Sequence, residues 1–560
     1  MSETARTSPA PRRLPAALLE RIAACALLLL ALVPRVRDLD AGFDRGFEGY
    51  QGAFFAMAAL NYERLGYDEA GGYPILNLDL PADESGLFVY TNHPPVTPLL
   101  AWAGAAAFAP TDWSEAWRKD QAPEGVEFAI RLPFLLLHVI GLVLLWRLAR
   151  AAYGPQVGLL TLAITASLPV STLYATLINY ETPSLPLLLV AVLAYAAYVR
   201  EGRTRALLGV GAGFAAACSV TFGPAFVLPF LVLRSLWTRR IREAFFVAAA
   251  GGVGCLLPIA LHDQASRAAL EELGRAPTGV AERAQVLLQP LLDGSLPLLD
   301  WLGLQGAHAA TALGVPLLVV AAIGAALGLA RGLSQRVDAA VRAREWPAHS
   351  RRDVDVGLPL LGGGLLYLFA FYQHTSEEQW TFWLYLTPAA ALLAARALHA
   401  VSLPLQRLRG GTAPLVLLAA SLVLLGLARF EAWRFAVRAP GPRDVAGLER
   451  GPEAPLPRTA GVALGELLPP GSVGLTPPEL GLTPAAAWYA WRTLLPSGSF
   501  GAADPAAHAL GLGDAPRYLT LPDDPPPSAA PAVEFLRSAL GEPTRRAAGW
   551  SAYGSGPTAK

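Results

Sequence analysis

Apolar residues run through the chain in long blocks separated by short polar joints. Blocks near 18–36, 130–149, 156–178, 182–199, 243–261, 311–330, 356–372, 380–398 and 413–429 approach the ~20 residues that a helix needs to cross a bilayer. The stretch 206–236 is too long for one crossing and is interrupted at Thr221–Phe222–Gly223–Pro224, so it reads as two short helices. The pattern predicts an all-α polytopic membrane protein with about 11 transmembrane helices. Residues 95–110 are apolar but only ~15 long, and are read as a helix lying in or re-entering the membrane interface.

Arginines divide the joints into two kinds, and short cytoplasmic loops collect them. Arg147 and Arg150, then Arg200, Arg203 and Arg205, then Arg234, Arg239, Arg240 and Arg242 follow successive spans. The joints 179–181, 219–224 and 374–379 contain neither Arg nor Lys. Letting 95–110 cross would put Arg147 and Arg150 outside, which is why it is not counted as a span. The expectation is a cytoplasmic N-terminus, acidic loops outside and an extracytoplasmic C-terminus, in a bacterial inner membrane. Arg6, Arg12 and Arg13 ahead of the first apolar block resemble a signal peptide, but the many spans that follow favour an uncleaved first helix.

Residues 1–430 therefore read as one transmembrane domain. It has a first outer loop over 37–110, carrying interfacial helices, and a second large outer loop over 263–310. Beyond it, 435–560 reads as a small extramembrane α/β domain, with strand-like 472–475 and 517–521 and a helix over 532–540 opened by Pro531.

Composition agrees with this picture. Of the residues, 53% are hydrophobic and 16% charged, with a mean hydropathy of +0.39; soluble domains carry about 25% charged residues. Formal net charge is zero, so no basic surface argues for nucleic acid. Only Lys119 and Lys560 are lysines among 44 basic residues, a bias that fits GC-rich coding. The three cysteines sit in apolar runs, so no disulfide framework is expected. Walker A, G-x-S-x-G, HExxH and dinucleotide motifs are all missing from the sequence, which weighs against ATP-driven transport and metalloprotease chemistry.

Ionisable groups at the membrane rim are costly, and here they collect on the outer side. Asp44 and Glu48 open a helix in the first loop; either could serve as a general base, or simply cap that helix. Asn92 and His93 precede Pro94–Pro95, which places His93 at a helix N-terminus that favours anions. Arg131, in Phe128–Ala129–Ile130–Arg131–Leu132–Pro133, could meet a phosphate or snorkel to the interface. Asn179 and Glu181 lie between two spans, where helix capping is the competing role. His374, Glu377 and Glu378 form a polar turn leading to Tyr385. His138, inside a span, reads as an interhelical hydrogen-bonding residue. Asp44, Glu48 and Glu181 could share a divalent metal ion if they meet, although no local ligand spacing is present.

The order of these features resembles the GT-C class of membrane glycosyltransferases, glycosyltransferase family 39. The nearest members are protein O-mannosyltransferases and lipid A aminoarabinose transferases. The resemblance rests on the first-loop acid, His93–Pro94–Pro95, Phe128–Pro133, Glu181 and Tyr385–Ala395, and covers roughly 18–400. It implies an inverting transferase that takes a sugar from a polyprenyl-phosphate donor and passes it to a lipid, protein or polysaccharide acceptor at the outer face. By position it also implies Asp44 as the catalytic carboxylate and His93 as a donor-phosphate contact, joined physically by Arg131. Relatives have adjacent Asp-Glu where this chain separates Asp44 from Glu48, and many have a Lys where this chain has Phe222–Gly223. A secondary transporter or lipid flippase, the main alternative, calls for an inverted repeat and midplane charges that the sequence does not show.

Overall fold

The computed structural model describes residues 16–37, 39–40, 42–43, 46–68, 72–76, 89–110, 113, 125–272, 280–342, 355–372, 380–409, 419, 421–424, 426–427, 429–430, 463–464, 466–468, 473–476, 493–496, 517–523, 534, 537, 543–547 and 550–554. The helices are α1 (Ala16–Val36), α2 (Gly46–Leu65), α3 (Val96–Phe108), α4 (Val126–Tyr153), α5 (Pro155–Ser167), α6 (Pro169–Leu173), α7 (Glu181–Glu201) and α8 (Arg205–Cys218). They continue as α9 (Leu228–Trp237), α10 (Ile241–Glu272), α11 (Val280–Leu292), α12 (Leu298–Ala312), α13 (Val315–Arg342), α14 (Gly357–Ala370) and α15 (Thr387–Arg409). Two 3-10 segments, Gly223–Val227 and Trp380–Tyr385, precede α9 and α15.

Among the described residues four helices (α1, α4, α7 and α10) are long and apolar enough to cross a membrane, or up to five if the bent pair α12–α13 is one span. The expected spans at α5 and α14 are instead shorter apolar helices, while α3 and α8 are short as their sequences predict. The block 156–178 is broken rather than continuous. Pro169 forces Leu168 into an extended conformation (φ −70°, ψ 130°), so α5 stops and α6 restarts with that proline in its first turn. The block 206–236 divides at 219–227, where Pro224 sits, as its sequence predicts. Residues 413–429 fall largely outside the described residues.

α7 packs against α4 and α8, α8 against α10, and α13 against α15. Small residues permit the close approaches. A Cβ on Gly213 would lie 2.6 Å from the Ala191 backbone nitrogen, so α7 and α8 touch along their backbones. Outward side chains such as Leu29, Val33, Leu208, Phe245 and Leu256 are exposed, as in a bundle whose solvent is lipid.

An arginine braces the helix break. Arg35, 1% exposed, donates from Nε to His138 Nε2 (3.3 Å), from Nη1 to the carbonyls of Ala31 (2.7 Å) and Ala166 (3.2 Å), and from Nη2 to Ser171 Oγ (3.2 Å). The Ala166 carbonyl needs such a donor because α5 ends before its helical partner arrives. His138 is thus the interhelical contact that its place in a span predicts.

At the arginine-rich end, Asp355 ties three helices. Its Oδ1 accepts from the Tyr153 hydroxyl (2.9 Å) and the Gly357 N–H (3.1 Å), and its Oδ2 accepts from Arg396 (2.9 Å). At the opposite end, α2, α3 and the start of α4 share one hydrophobic cluster with Leu464, Leu468, Leu521 and Trp550. The last two belong to a mixed five-stranded sheet: β1 (Val473–Thr476), β2 (Thr493–Pro496), β3 (Arg517–Pro522), β4 (Arg545–Ala547) and β5 (Trp550–Gly554), in the order β2-β1-β3-β5-β4. β1 pairs in parallel with β2 and β3, while β5 is antiparallel to β3 and β4. Most of 532–540, expected as a helix, falls outside the described residues.

Burial alone would raise the Asp355 carboxyl, but the Arg396 charge and the Tyr153 hydroxyl outweigh it and hold the group below the usual carboxylate range. A depressed carboxyl stabilises the fold fully above its unfolded value of about 4 and loses that contribution as pH falls through the folded value. Arg396→Ala, which leaves a buried charge unpaired, should therefore cost about 3–5 kcal/mol at pH 7. The gap to the wild type should narrow at acid pH, which thermal unfolding of the detergent-solubilised protein at pH 7 and below pH 4 measures.

Candidate active site

Three backbone features bring the site together at the end where α4 and α7 begin. The first is Pro94–Pro95, whose fixed backbones turn the chain into α3 and leave His93 at its mouth. The second is the 174–180 joint, in which Thr182 N–H donates to Asn179 Oδ1 (2.8 Å) and closes the first turn of α7. The third is the break at 219–227.

The His93 ring stacks on Tyr180, with centroids 3.9 Å apart and planes at 28°. Tyr90 and Phe222 flank His93 at 6.3 and 6.2 Å. Phe222 in turn meets the ring of His262 at 5.4 Å, and His262 Nδ1 hydrogen-bonds the Tyr73 hydroxyl (2.8 Å). Two histidines, one before α3 and one in α10, therefore flank one phenyl ring.

Glu181, next to Tyr180, is 6% exposed and its Oε1 accepts from the Tyr367 hydroxyl at 2.9 Å. Tyr367 packs edge-on against Tyr385 (4.8 Å), whose hydroxyl shares a hydrogen bond with Ser184. Gly223 lies beneath both tyrosines, since a Cβ there would fall 2.8 Å from Tyr385 and 2.9 Å from Tyr367. A lysine-free break is thus filled by aromatic rings. Asn179 Nδ2 and Thr221 Oγ1 are buried without a hydrogen-bond partner among the described residues.

The first loop reaches this cluster through α2. Phe55 meets Tyr180 at 5.2 Å and Phe54 meets Tyr90 at 5.0 Å, both edge-on. Arg131 is 2% exposed; it donates to the Leu39 carbonyl (3.0 Å) and its guanidinium lies 4.8 Å from the centre of the Phe43 ring. That contact holds the chain immediately before Asp44.

Of the residues singled out from the sequence, His93, Asn179, Glu181 and Tyr385 come into one neighbourhood, with Arg131 bracing the adjoining loop. Asn92 is exposed beside His93. Asp44, His374, Glu377 and Glu378 lie outside the described residues, and Glu48 is described only as a position in α2. Among the described residues no group of three or more His, Cys, Asp or Glu is arranged to hold a metal ion. Sequence reasoning missed Tyr367, Ser184 and His262. The last was the most visible, because Leu261–His262–Asp263 is where the long apolar run of α10 meets polar chain.

The geometry defines a class before any comparison does: a multi-pass membrane protein with a polar aromatic site at one rim, roofed by a helical first loop. Solved structures show where the fold recurs. ArnT from Cupriavidus metallidurans, bound to undecaprenyl phosphate, is similar in fold with a TM-score of 0.55 at 13% identity, over 97% of this chain and 99% of that one. The oligosaccharyltransferase of Archaeoglobus fulgidus is similar with a TM-score of 0.52 at 11% identity, over 91% of this chain and 70% of that one. Residues 123–262 match the family model for dolichyl-phosphate-mannose-protein mannosyltransferase. The chain thus has the fold of the GT-C membrane glycosyltransferases and carries the sequence signature of one of their families across α4 to α10. Among curated proteins no significant match is found.

Gly223→Ala should push Tyr385 and Tyr367 apart and strip the hydrogen bond from Glu181. Loss of a donor to a buried carboxylate costs about 1.5–3 kcal/mol. A lowered unfolding temperature for Gly223→Ala, matched in size by Tyr367→Phe, is the expected outcome; a Gly223→Ala protein as stable as wild type would contradict the packing.

Proposed function

We propose that the chain transfers a sugar from a polyprenyl-phosphate donor to a lipid, protein or polysaccharide acceptor at the outer face of a bacterial inner membrane, inverting the anomeric centre. The observation that carries this reading is the joining of His93, Tyr180 and Glu181 beneath α2 at the rim of a GT-C fold. The ArnT fold that this chain resembles was solved with undecaprenyl phosphate, a ligand of the donor class proposed.

In this reading the donor reaches the site laterally from the bilayer, and its phosphate leaves toward His93 and the N-terminus of α3. A developing phosphate charge is stabilised there by an imidazole and by helix N–H groups. His262, on the far side of Phe222, is the second cationic candidate. Arg131 acts on the same step by fixing the loop that carries the base. The base is Asp44 or Glu48: position 48 lies about two helical turns (~10.5 Å) before Phe55 and shares its face of α2, the face that meets Tyr180. The carboxylate takes the acceptor's proton as the new bond forms. Glu181, already held by Tyr367, positions Tyr180 under the histidine. A divalent ion shared by Asp44, Glu48 and Glu181 would find carboxylate oxygens that suit it.

Asp44→Asn should abolish transfer in proteoliposomes supplied with a labelled polyprenyl-phosphate sugar, while donor binding persists. A dead Glu48→Gln beside an active Asp44→Asn moves the role to Glu48, and activity in both removes the base assignment. His93→Ala should slow donor use more than acceptor use, since its contact strengthens as the phosphate departs.

A further inference from the structure

At the end of the bundle opposite the candidate site, α1, α4 and α7 enclose a cavity of about 590 Å³. Arg21, Arg147 and Arg200 stand at it, and among the described residues none of the three has a carboxylate partner. The neighbouring acids are already engaged: Glu20 with Arg150 (2.7 Å) and Glu201 with Arg203 (2.7 Å). Arg200 is braced by donating to the Ala151 carbonyl at 2.9 Å. The cavity therefore has a rim of uncompensated positive charge.

Its wall changes character with depth. Val143 and Leu193 line it on α4 and α7. One helical turn further from the arginines, Ile140 (49% exposed) and Val190 (39% exposed) continue the same two faces toward the membrane centre. Cations at the mouth and an apolar groove beyond them form the sequence of chemistries along a phospholipid, from phosphate to acyl chain.

We propose that this cavity seats one anionic phospholipid from the leaflet at the arginine-rich end. Its phosphate lies among Arg21, Arg147 and Arg200, and a chain lies along Ile140 and Val190. Basic pockets between spans bind anionic headgroups by this charge complementarity. The site is separate from the sugar-transfer chemistry and stands or falls without it.

The full-length protein is equilibrated with equal amounts of phosphatidylcholine and phosphatidylglycerol, stripped by detergent and weighed by native mass spectrometry. The expected result is one retained phosphatidylglycerol per chain. Arg147→Gln with Arg200→Gln should reduce that retention about 10- to 30-fold, given the contribution of each basic residue near a charged lipid. The corresponding double Lys substitution should restore most of it. Ala197→Trp, which keeps every charge and fills the cavity, should lower it a few-fold and serves if the Gln variant fails to fold. Equal retention of the two lipids, or retention unchanged in both the Gln and the Trp variants, overturns the proposal. Displacement of the lipid by millimolar inorganic phosphate overturns it too, by showing a site for a small anion.

Discussion

A polar atom at membrane depth has no water to turn to, so another protein group must answer it. The rest of this structure follows from that requirement. Pro169 interrupts what would otherwise be a plain span, and the carbonyl of Ala166 then needs a donor. Arg35 supplies it from the end of α1 while also engaging His138 and Ser171. A glutamate at the head of α7 needs one as well, and Tyr367 supplies it from α14. Each broken or polar point in one helix is closed by a residue from another, so the breaks lock the bundle together.

The same breaks shape the rim. Continuous helices would leave a smooth surface there, whereas the joints at 174–180 and 219–227 raise Tyr180 and Phe222 to where the His93 ring meets them. The imidazole rests on these rings. Glu181 lies one residue from the stack, with its carboxylate turned to Tyr367 instead.

Much of this was legible in the sequence, and the failures have physical causes. Apolar block length found α1, α4, α7 and α10, and the short apolar block 95–110 gave α3. Block length misjudged 156–178, because hydropathy averages over Pro169 and only the backbone reveals the stop. Among the described residues four or five helices are full-length, because several apolar blocks form half-length helices joined by turns. The site was found piecemeal: His93, Asn179, Glu181 and Tyr385 announced themselves as polar groups beside prolines at the rim. Tyr367 did not, because a tyrosine within an apolar helix looks like any other large hydrophobe until its hydroxyl has a partner. Arg131 was visible, but its contacts with Leu39 and Phe43 were not, since nothing in one sequence pairs residues so far apart.

The cluster that roofs the site draws on both ends of the chain. Phe43, Phe55 and Leu60 near the beginning share their packing with Leu521, Trp550 and Ala552 near the end. During synthesis the first loop therefore waits, with its apolar face unmatched, until almost the last strand has been made. A chain cut short before β5 would leave that apolar face bare.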